Sequence, residues 1–211
     1  MGKLETAKYV FNKRAAQWAE KYMDVSMYHE ALDAFFNLLP QNASLLEIAC
    51  GPGNLTKYLL HQRPDIRVTG LDIAPNMVEL ARANNPAATF AVMDCRDINE
   101  LTERYDAVMC GFALPYFSKT EATNLIGDVA NLLEEGGPFY LSTMEGDYSR
   151  SGIQTSSYGD KVYMHYHPAN YLVETLTSTG FQVNELRRVD IPGEETKGIN
   201  DLIITAVLKR K

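Results

Sequence analysis

A carboxylate and two glycines stand close together in the segment LLEIACGPGNLT, which spans Leu45–Thr56. Glu47 lies within the apolar run, and Gly51 and Gly53 follow it. Glycine lets a backbone turn tightly and come close to a ligand. Such a loop suits a phosphate group, but a neighbouring carboxylate would repel that phosphate. The segment therefore predicts a ligand that needs bare backbone together with negative charge.

Two further acids are expected beside this loop. Asp72 closes the run VTGLD roughly 20 residues later, the position from which a carboxylate accepts hydrogen bonds from ribose hydroxyls. A dinucleotide is disfavoured, because Thr56 stands where its fingerprint requires a third glycine and Pro52 lacks a backbone N–H. Together with Asp94, the acids suit a ligand with an adenosine end and a cationic end, and S-adenosylmethionine is such a ligand.

A second candidate group consists of Tyr116 and the histidines of the segment GDKVYMHYHP. In strand geometry Tyr163, His165 and His167 share one face. If this face borders the pocket, a histidine that titrates near neutral pH is a candidate catalytic base for an oxygen or nitrogen acceptor, and Tyr116 would orient an acceptor hydroxyl. Alternatively, His167 precedes Pro168 and simply begins the next helix. No third ligand follows nearby, so no metal site is predicted.

The spacing of apolar residues predicts the elements that carry these groups. Two helices open the chain and strands then alternate with helices, which predicts a doubly wound, mostly parallel α/β sheet of seven strands. The alternating strands are Leu45–Ala49, Ile66–Leu71, Thr89–Met93, Tyr105–Cys110 and Phe139–Thr143, and the helices are Tyr9–Tyr22, Tyr28–Leu39, Leu55–His61, Asn76–Asn84, Lys119–Glu134 and Pro168–Thr179. The loop between Phe181–Ile191 and Asp201–Leu208 is too short for a crossover helix, which predicts an antiparallel C-terminal hairpin.

Four segments, in this order, resemble the motifs of the class I S-adenosylmethionine-dependent methyltransferases, which have a Rossmann-like fold. LLEIACGPGNLT resembles their first motif, and VTGLDIAPNMVELAR resembles the second-strand motif that holds the ribose. FAVMDCRDI resembles the adenine-binding segment, and YDAVMCGFALPYF the fourth-strand motif beside the transferred methyl group. The resemblance covers nearly the whole chain. Ala49 departs from it, because many members have a glycine at this position.

The resemblance implies a set of cofactor-binding residues. Glu47 and the backbone of residues 49–53 would meet the methionine half of S-adenosylmethionine, and Asp72 would bind its ribose. The complete set is Trp18, Glu47, Ala49, Cys50, Gly51, Gly53, Asp72, Ile73, Met77, Asp94, Cys95, Cys110 and Gly111.

Several members of this set have an alternative role. Asp94 would accept from the adenine amino group and Cys95 would offer its backbone N–H, but Asp94 could also cap the turn after its strand. Ile73 and Met77 would lie against the adenine, although a methionine at helical spacing is often a core residue. Trp18 would form an aromatic lid over the cofactor, or it would pack its helix against the sheet.

The length, net charge and cysteine content of the chain restrict its possible partners. The chain has 211 residues and a formal net charge of −7, which opposes binding to nucleic acid and to anionic membranes. We expect a small-molecule partner, and we predict neither a nucleic-acid nor a membrane partner. Cys50, Cys95 and Cys110 show no metal or redox spacing, so a cytoplasmic location with reduced thiols is expected. Either a monomer or a homodimer is compatible with the sequence.

The sequence therefore predicts an S-adenosylmethionine-dependent methyltransferase that acts on an oxygen, nitrogen or carbon atom of a small molecule. We expect a single domain over residues 1–211, with residues 1–40 as a helical lid and residues 145–167 as the cover of the acceptor site. Two alternatives stay open. The protein could bind the cofactor without catalysis, or it could be a nicotinamide-dependent oxidoreductase.

Overall fold

The computed structural model describes residues 2–156, 158–190 and 199–209. Two helices open the chain, and strands alternate with helices after them, as predicted. The helices are α1 (Lys3–Tyr22), α2 (His29–Phe36), α3 (Asn54–Gln62), α4 (Pro75–Asn84), α5 (Lys119–Leu132) and α6 (Ala169–Ser178). The strands are β1 (Ser44–Ile48), β2 (Arg67–Asp72), β3 (Thr89–Val92), β4 (Ala107–Gly111), β5 (Pro138–Glu145), β6 (Gly152–Thr155), β7 (Lys161–Met164), β8 (Phe181–Asp190) and β9 (Asn200–Leu208).

Seven of these strands form one sheet in the order β3-β2-β1-β4-β5-β9-β8. Strands β1 to β5 pair in parallel, whereas β9 is antiparallel to both of its neighbours. The predicted doubly wound, mostly parallel sheet and its antiparallel C-terminal pair are therefore confirmed. The predicted loop of that pair falls largely on residues 191–198, which lie outside the described residues. The strand order reverses between β1 and β4, and the carboxyl ends of these strands outline the crevice of a switch point.

Both faces of the central strands are covered by helices. Leu45 and Leu46 are adjacent in β1 and are both fully buried. Leu45 packs in a cluster with Phe35 of α2, and Leu46 packs in the opposite cluster with Leu125 of α5. A strand that is buried on both faces has a continuous apolar sequence, and this pattern made β1 predictable. Within the described residues, no helix has the length and the apolar composition that crossing a membrane requires.

The segment between β5 and α6 differs from the expectation for it. Strands β6 and β7 form a separate two-stranded antiparallel sheet, whereas the sequence of this segment has no clear period. Strand β7 ends at Met164, so the strand geometry predicted through His167 is wrong. The cause is local: the backbone N–H of His165 donates to the carbonyl oxygen of Pro115, at 2.7 Å, and leaves the ladder.

Candidate functional site

The loop after β1 holds three left-handed residues. The φ angles of Ala49, Gly51 and Gly53 are 55°, 53° and 77°. A Cβ atom added to Gly51 would meet no atom within 4 Å, so this bare backbone borders open space. A Cβ atom on Gly53 would lie 2.3 Å from Nδ2 of Asn85 and 3.2 Å from Cα of Ala81. Gly51 thus leaves room for a ligand, and Gly53 allows close packing of the loop on α4.

Glu47 lies beneath this loop near the carboxyl end of β1. Its side chain is 1% exposed and accepts a hydrogen bond from the hydroxyl of Thr56. Burial, with a smaller effect of Asp72, raises the pKa of Glu47 to about 8. No ion pair of the described residues includes this carboxyl group. Sequence reasoning noted Thr56 only as the absence of a glycine and missed this contact.

Asp72 lies beside the loop at the carboxyl end of β2. One carboxylate oxygen accepts from the backbone N–H of Gly51 at 2.9 Å, and the other accepts from that of Ala74 at 2.8 Å. Burial raises the pKa of Asp72 against the opposing effect of these two bonds. Each carboxylate oxygen can accept more than one hydrogen bond, so both retain capacity for ribose hydroxyls.

The adenine side of the expected site lies at the end of β3. Oδ1 of Asp94 accepts from the backbone N–H of Arg96 at 3.0 Å and from its guanidinium at 3.2 Å. The capping role considered for Asp94 therefore occurs in the structure, and its contact with adenine stays a prediction. Met77 is buried, Ile73 is half-buried and Cys95 is buried.

An aromatic layer on α1 covers this region. Trp18 lies 5.2 Å from Phe11 and 4.6 Å from Tyr22 between ring centroids, and Phe11 lies 4.8 Å from Tyr116. Beneath Trp18, the buried Met77 packs against α1. The structure thus places Trp18 against the start of α4, which follows β2, and this position is compatible with both the lid and the packing alternatives.

The remaining predicted residues include two cysteines with buried side chains and a glycine. The side chain of Cys50 is buried in a cluster with Phe90, and that of Cys110 is fully buried. Burial raises the pKa of Cys110 to about 12, so its thiol stays protonated. A Cβ atom on Gly111 would lie 2.6 Å from Cδ1 of Leu55, so this glycine lets α3 pack on β4. Among the described residues, no group of three or more His, Cys, Asp or Glu side chains could hold a metal ion.

A 3₁₀ turn after β4, Leu114–Tyr116, is fastened to the segment that follows β7. Nε2 of His167 lies 3.0 Å from the carbonyl oxygen of Leu114 and 3.1 Å from that of Phe117. The N–H of His165 binds the carbonyl oxygen between them. The structure therefore brings Tyr116 and both histidines together, and it gives His167 a structural contact with the turn. Their catalytic roles stay predictions.

Arg96 fastens the same turn from the other side. Its guanidinium donates to the carbonyl oxygen of Tyr116 at 3.0 Å and to the carboxylate of Glu121 at 2.9 Å. The guanidinium carbon also lies 4.1 Å from the ring centroid of Phe117. Since Arg96 also binds Asp94, it joins the expected adenine side to the turn that carries Tyr116. Sequence reasoning missed Arg96, because the residues that it binds on the turn and on α5 are distant in the chain.

Comparison with known proteins gives one matching family model and several relatives. Residues 45–137 match the family model described as "Methyltransferase domain". A malonyl-(acyl-carrier protein) O-methyltransferase from Acetivibrio thermocellus is 36% identical over 101 residues, which are 47% of this chain and 35% of that protein. A ubiquinone biosynthesis O-methyltransferase from Xanthomonas axonopodis pv. citri is 31% identical over 112 residues, 51% of this chain and 45% of that protein.

The chain spans about a third to a half of the length of the malonyl-(acyl-carrier protein) O-methyltransferases that it matches. Among solved structures, the magnesium protoporphyrin IX methyltransferase from Synechocystis PCC 6803 with bound S-adenosylmethionine has a TM-score of 0.73. It is 18% identical, and the alignment covers 99% of this chain and 98% of that one. At this identity the likeness concerns the fold, which is the Rossmann-like fold predicted for the chain.

Proposed function

We propose that this chain is a class I S-adenosylmethionine-dependent methyltransferase, with S-adenosylmethionine as cofactor, and that it transfers a methyl group to an oxygen atom of a small molecule. The observation that carries the proposal is the pair of buried acids, Glu47 and Asp72, beside the open backbone of Gly51. Burial without a basic partner disfavours ionisation of these acids, and a ligand that brings positive charge favours it, so the pair suits a cationic ligand. Oxygen is proposed as the acceptor atom because the two sequence relatives are named O-methyltransferases.

The donor set fits S-adenosylmethionine at both of its ends. The carboxylate of Asp72 would accept from the ribose hydroxyls, and the open backbone at Gly51 leaves room for the methionine half. Glu47 would supply negative charge toward the ammonium or sulfonium group, for which its ionised form is required. When bound, the cofactor supplies an electrophilic methyl group, and the protein orients the acceptor and excludes water. The aromatic layer of Phe11, Trp18 and Tyr116 is suited to that exclusion.

Isothermal titration calorimetry with S-adenosylhomocysteine and with NAD tests the cofactor. We expect binding of the first compound and none of the second. The variant Asp72→Asn should weaken binding of S-adenosylhomocysteine at least about tenfold, the free-energy equivalent of one charge-assisted hydrogen bond. Asp33→Asn is a matched control, because Asp33 is exposed on α2 and binds Tyr58. Unchanged affinity in the Asp72 variant would remove this residue from the site.

Catalysis needs a separate measurement, because a protein that binds the cofactor without methyl transfer would pass the calorimetric test. Mass spectrometry should detect methylated products from a panel of phenols, amines and carboxylates. Binding of NAD instead would support a nicotinamide-dependent oxidoreductase.

We also propose that residues 145–167 cover the acceptor and that the protein acts in the cytoplasm. Fractionation of cells that produce the tagged protein tests this location.

A further inference from the structure

Five rings form a cluster behind the turn that carries Tyr116, and we name it the histidine cluster: Tyr148, Tyr163, His165, His167 and Tyr171. The centroid of His165 lies 5.7 Å from Tyr148, 4.8 Å from Tyr163 and 6.4 Å from His167. The centroid of His167 lies 6.0 Å from Tyr148 and 5.9 Å from Tyr171. The cluster borders the candidate site, since both histidines bind that turn.

Two buried nitrogen atoms in this cluster lack a partner. Nδ1 of His165 and Nδ1 of His167 have no hydrogen-bond partner among the described residues. His165 is 7% exposed and His167 is fully buried. A buried polar atom without a partner destabilises the fold, and such atoms are rare in native proteins. Two of them in neighbouring rings indicate a place where a ligand group binds.

The hydrogen bonds of His167 determine what this ligand group can be. Nε2 faces two carbonyl oxygens, which only accept, so the ring hydrogen is on Nε2. Burial lowers the pKa of both His165 and His167, which favours neutral rings. Nδ1 of His167 therefore presents a lone pair and requires a donor. A carboxylate has no hydrogen to donate, and its oxygens would face that lone pair.

The charged groups around the cluster favour a ligand in which the hydrogen donated to Nδ1 is attached to an electron-rich oxygen. Nζ of Lys119 lies 4.8 Å from the ring centroid of Tyr148 and 5.0 Å from that of Tyr171. Nζ of Lys3 lies 3.4 Å from the ring centroid of Tyr163. Both ammonium groups disfavour a second proton on the histidines and stabilise partial negative charge on a bound oxygen. An acidic hydroxyl group combines the required hydrogen with such an oxygen.

We propose that the histidine cluster binds the methyl acceptor through a hydroxyl group that donates to Nδ1 of His167 or forms a hydrogen bond with Nδ1 of His165, and that the acceptor is a planar hydroxyaromatic compound. This inference rests on the proposed function. The tyrosine and imidazole rings supply faces on which a planar ring can stack. Among oxygen acceptors, the cluster thus selects a phenolic hydroxyl and rejects a carboxylate.

Nitrogen NMR of the full chain, labelled with ¹⁵N-histidine and saturated with S-adenosylhomocysteine, tests this inference. Catechol is the hydroxyl probe and benzoate is the carboxylate probe of similar size. We expect catechol to shift the Nδ1 resonance of at least one of the two histidines, and benzoate to shift neither. No response to catechol, or an equal response to benzoate, would overturn the inference.

Variants provide a second measurement that does not depend on the resonances. His165→Phe keeps a ring in the cluster and removes the unpartnered ring nitrogen. Where catechol is methylated, we expect KM for catechol to rise about tenfold, the equivalent of one lost hydrogen bond. The dissociation constant of S-adenosylhomocysteine should stay within about twofold. His61→Phe on the exposed face of α3 is the matched control and should change neither value.

The two proposals fail in different ways. If S-adenosylhomocysteine does not bind before any probe is added, the proposed function fails, and this inference fails with it. If S-adenosylhomocysteine binds but neither His165→Phe nor His167→Phe raises KM for catechol, the histidine cluster is not the acceptor site. The proposed function then stands with another acceptor.

Discussion

At the scale of single residues, the buried carboxyl group of Glu47 makes the stability of the protein depend on pH. Its pKa is about 8 in the folded protein against an ordinary value of 4.5. Between these values the folded chain holds a proton that the unfolded chain has released, so stability falls as pH rises through this window. The slope for one such group is at most about 1.4 kcal/mol per pH unit.

Glu47→Gln should remove this dependence. We expect the free energy of unfolding, measured with urea, to fall less between pH 5 and 8 in the variant than in the wild type. These two pH values roughly bound the range over which Glu47 titrates differently in the folded and unfolded chains. Glu134→Gln changes an exposed carboxyl group and serves as the control. Parallel pH profiles for Glu47→Gln and the wild type would show that Glu47 is ionised throughout. The same variant should bind S-adenosylmethionine more weakly at pH 8.

Ala49 stores backbone strain, because its φ angle of 55° is one that alanine rarely adopts. The left-handed conformation of an alanine reduces the stability of the fold by about 1–2 kcal/mol. A glycine avoids this cost, but it loses more conformational entropy on folding, which offsets about 0.5–1 kcal/mol of the gain. Ala49→Gly should therefore stabilise the protein by about 0.5–1 kcal/mol. Ala113→Gly should destabilise it by a similar amount, because Ala113 has right-handed angles of −77° and −37°. Chemical denaturation of both variants measures this; destabilisation by both would refute the strain.

Individual residues were predictable where the chain itself brings chemical groups together. The loop at Gly51 and the acid at Asp72 follow from the strand pattern, because both lie at carboxyl ends of neighbouring parallel strands. Thr56 and Arg96 were not predictable in the same way. Their roles depend on which distant side chains meet them, and one sequence without its fold does not give those contacts.

At the scale of elements, ion pairs and hydrogen bonds attach α1 to two other parts of the molecule. Arg14 and Lys13 pair with Asp160 in the connection between β6 and β7, at 2.6 and 3.1 Å. Asn12 accepts two hydrogen bonds of 2.8 Å from Asn76 at the start of α4, one from its backbone N–H and one from its side-chain amide. Since α1 carries Phe11 and Trp18, these contacts connect the proposed lid to α4 and to the segment that we propose as the acceptor cover.

Asp160→Asn should loosen the attachment of α1, the proposed lid. We expect faster hydrogen exchange of the α1 amides, by several-fold, because two ion pairs are lost while the helix remains. Glu145→Gln breaks the pair with Arg188 at a different position and should leave α1 exchange unchanged. If Asp160→Asn also leaves α1 exchange unchanged, the ion pairs do not hold the lid. Mass spectrometry after timed exchange provides the measurement.

The elements of the large sheet were predictable, and those of the small sheet were not. β1 and β4 are apolar runs because helices cover both of their faces. β6 and β7 are short and polar, and β7 ends where the backbone N–H of His165 binds the carbonyl oxygen of Pro115. The spacing of apolar residues carries no information about a contact between such distant residues, so the strand geometry predicted through His167 extended too far.

At the scale of the whole molecule, stability depends on the two apolar layers that enclose the sheet. Phe35 is fully buried between α2 and the sheet, and it lies 5.6 Å from Tyr140 of β5 between ring centroids. Phe35→Ala should cost about 3–5 kcal/mol, through lost burial and the cavity that remains. Tyr9→Ala changes a ring that is 57% exposed and should cost less than about 0.5 kcal/mol. Urea denaturation distinguishes them; equal costs would contradict this account of the core.

The turn 114–117 has a consequence for how this molecule could diverge. Each of its four carbonyl oxygens accepts a hydrogen bond from His167, His165 or Arg96. A backbone restrained in this way cannot bend toward a differently shaped substrate without breaking several bonds at once. New preferences in descendants of this protein would therefore arise by exchanging the side chains that the turn displays, while its main-chain path is inherited unchanged.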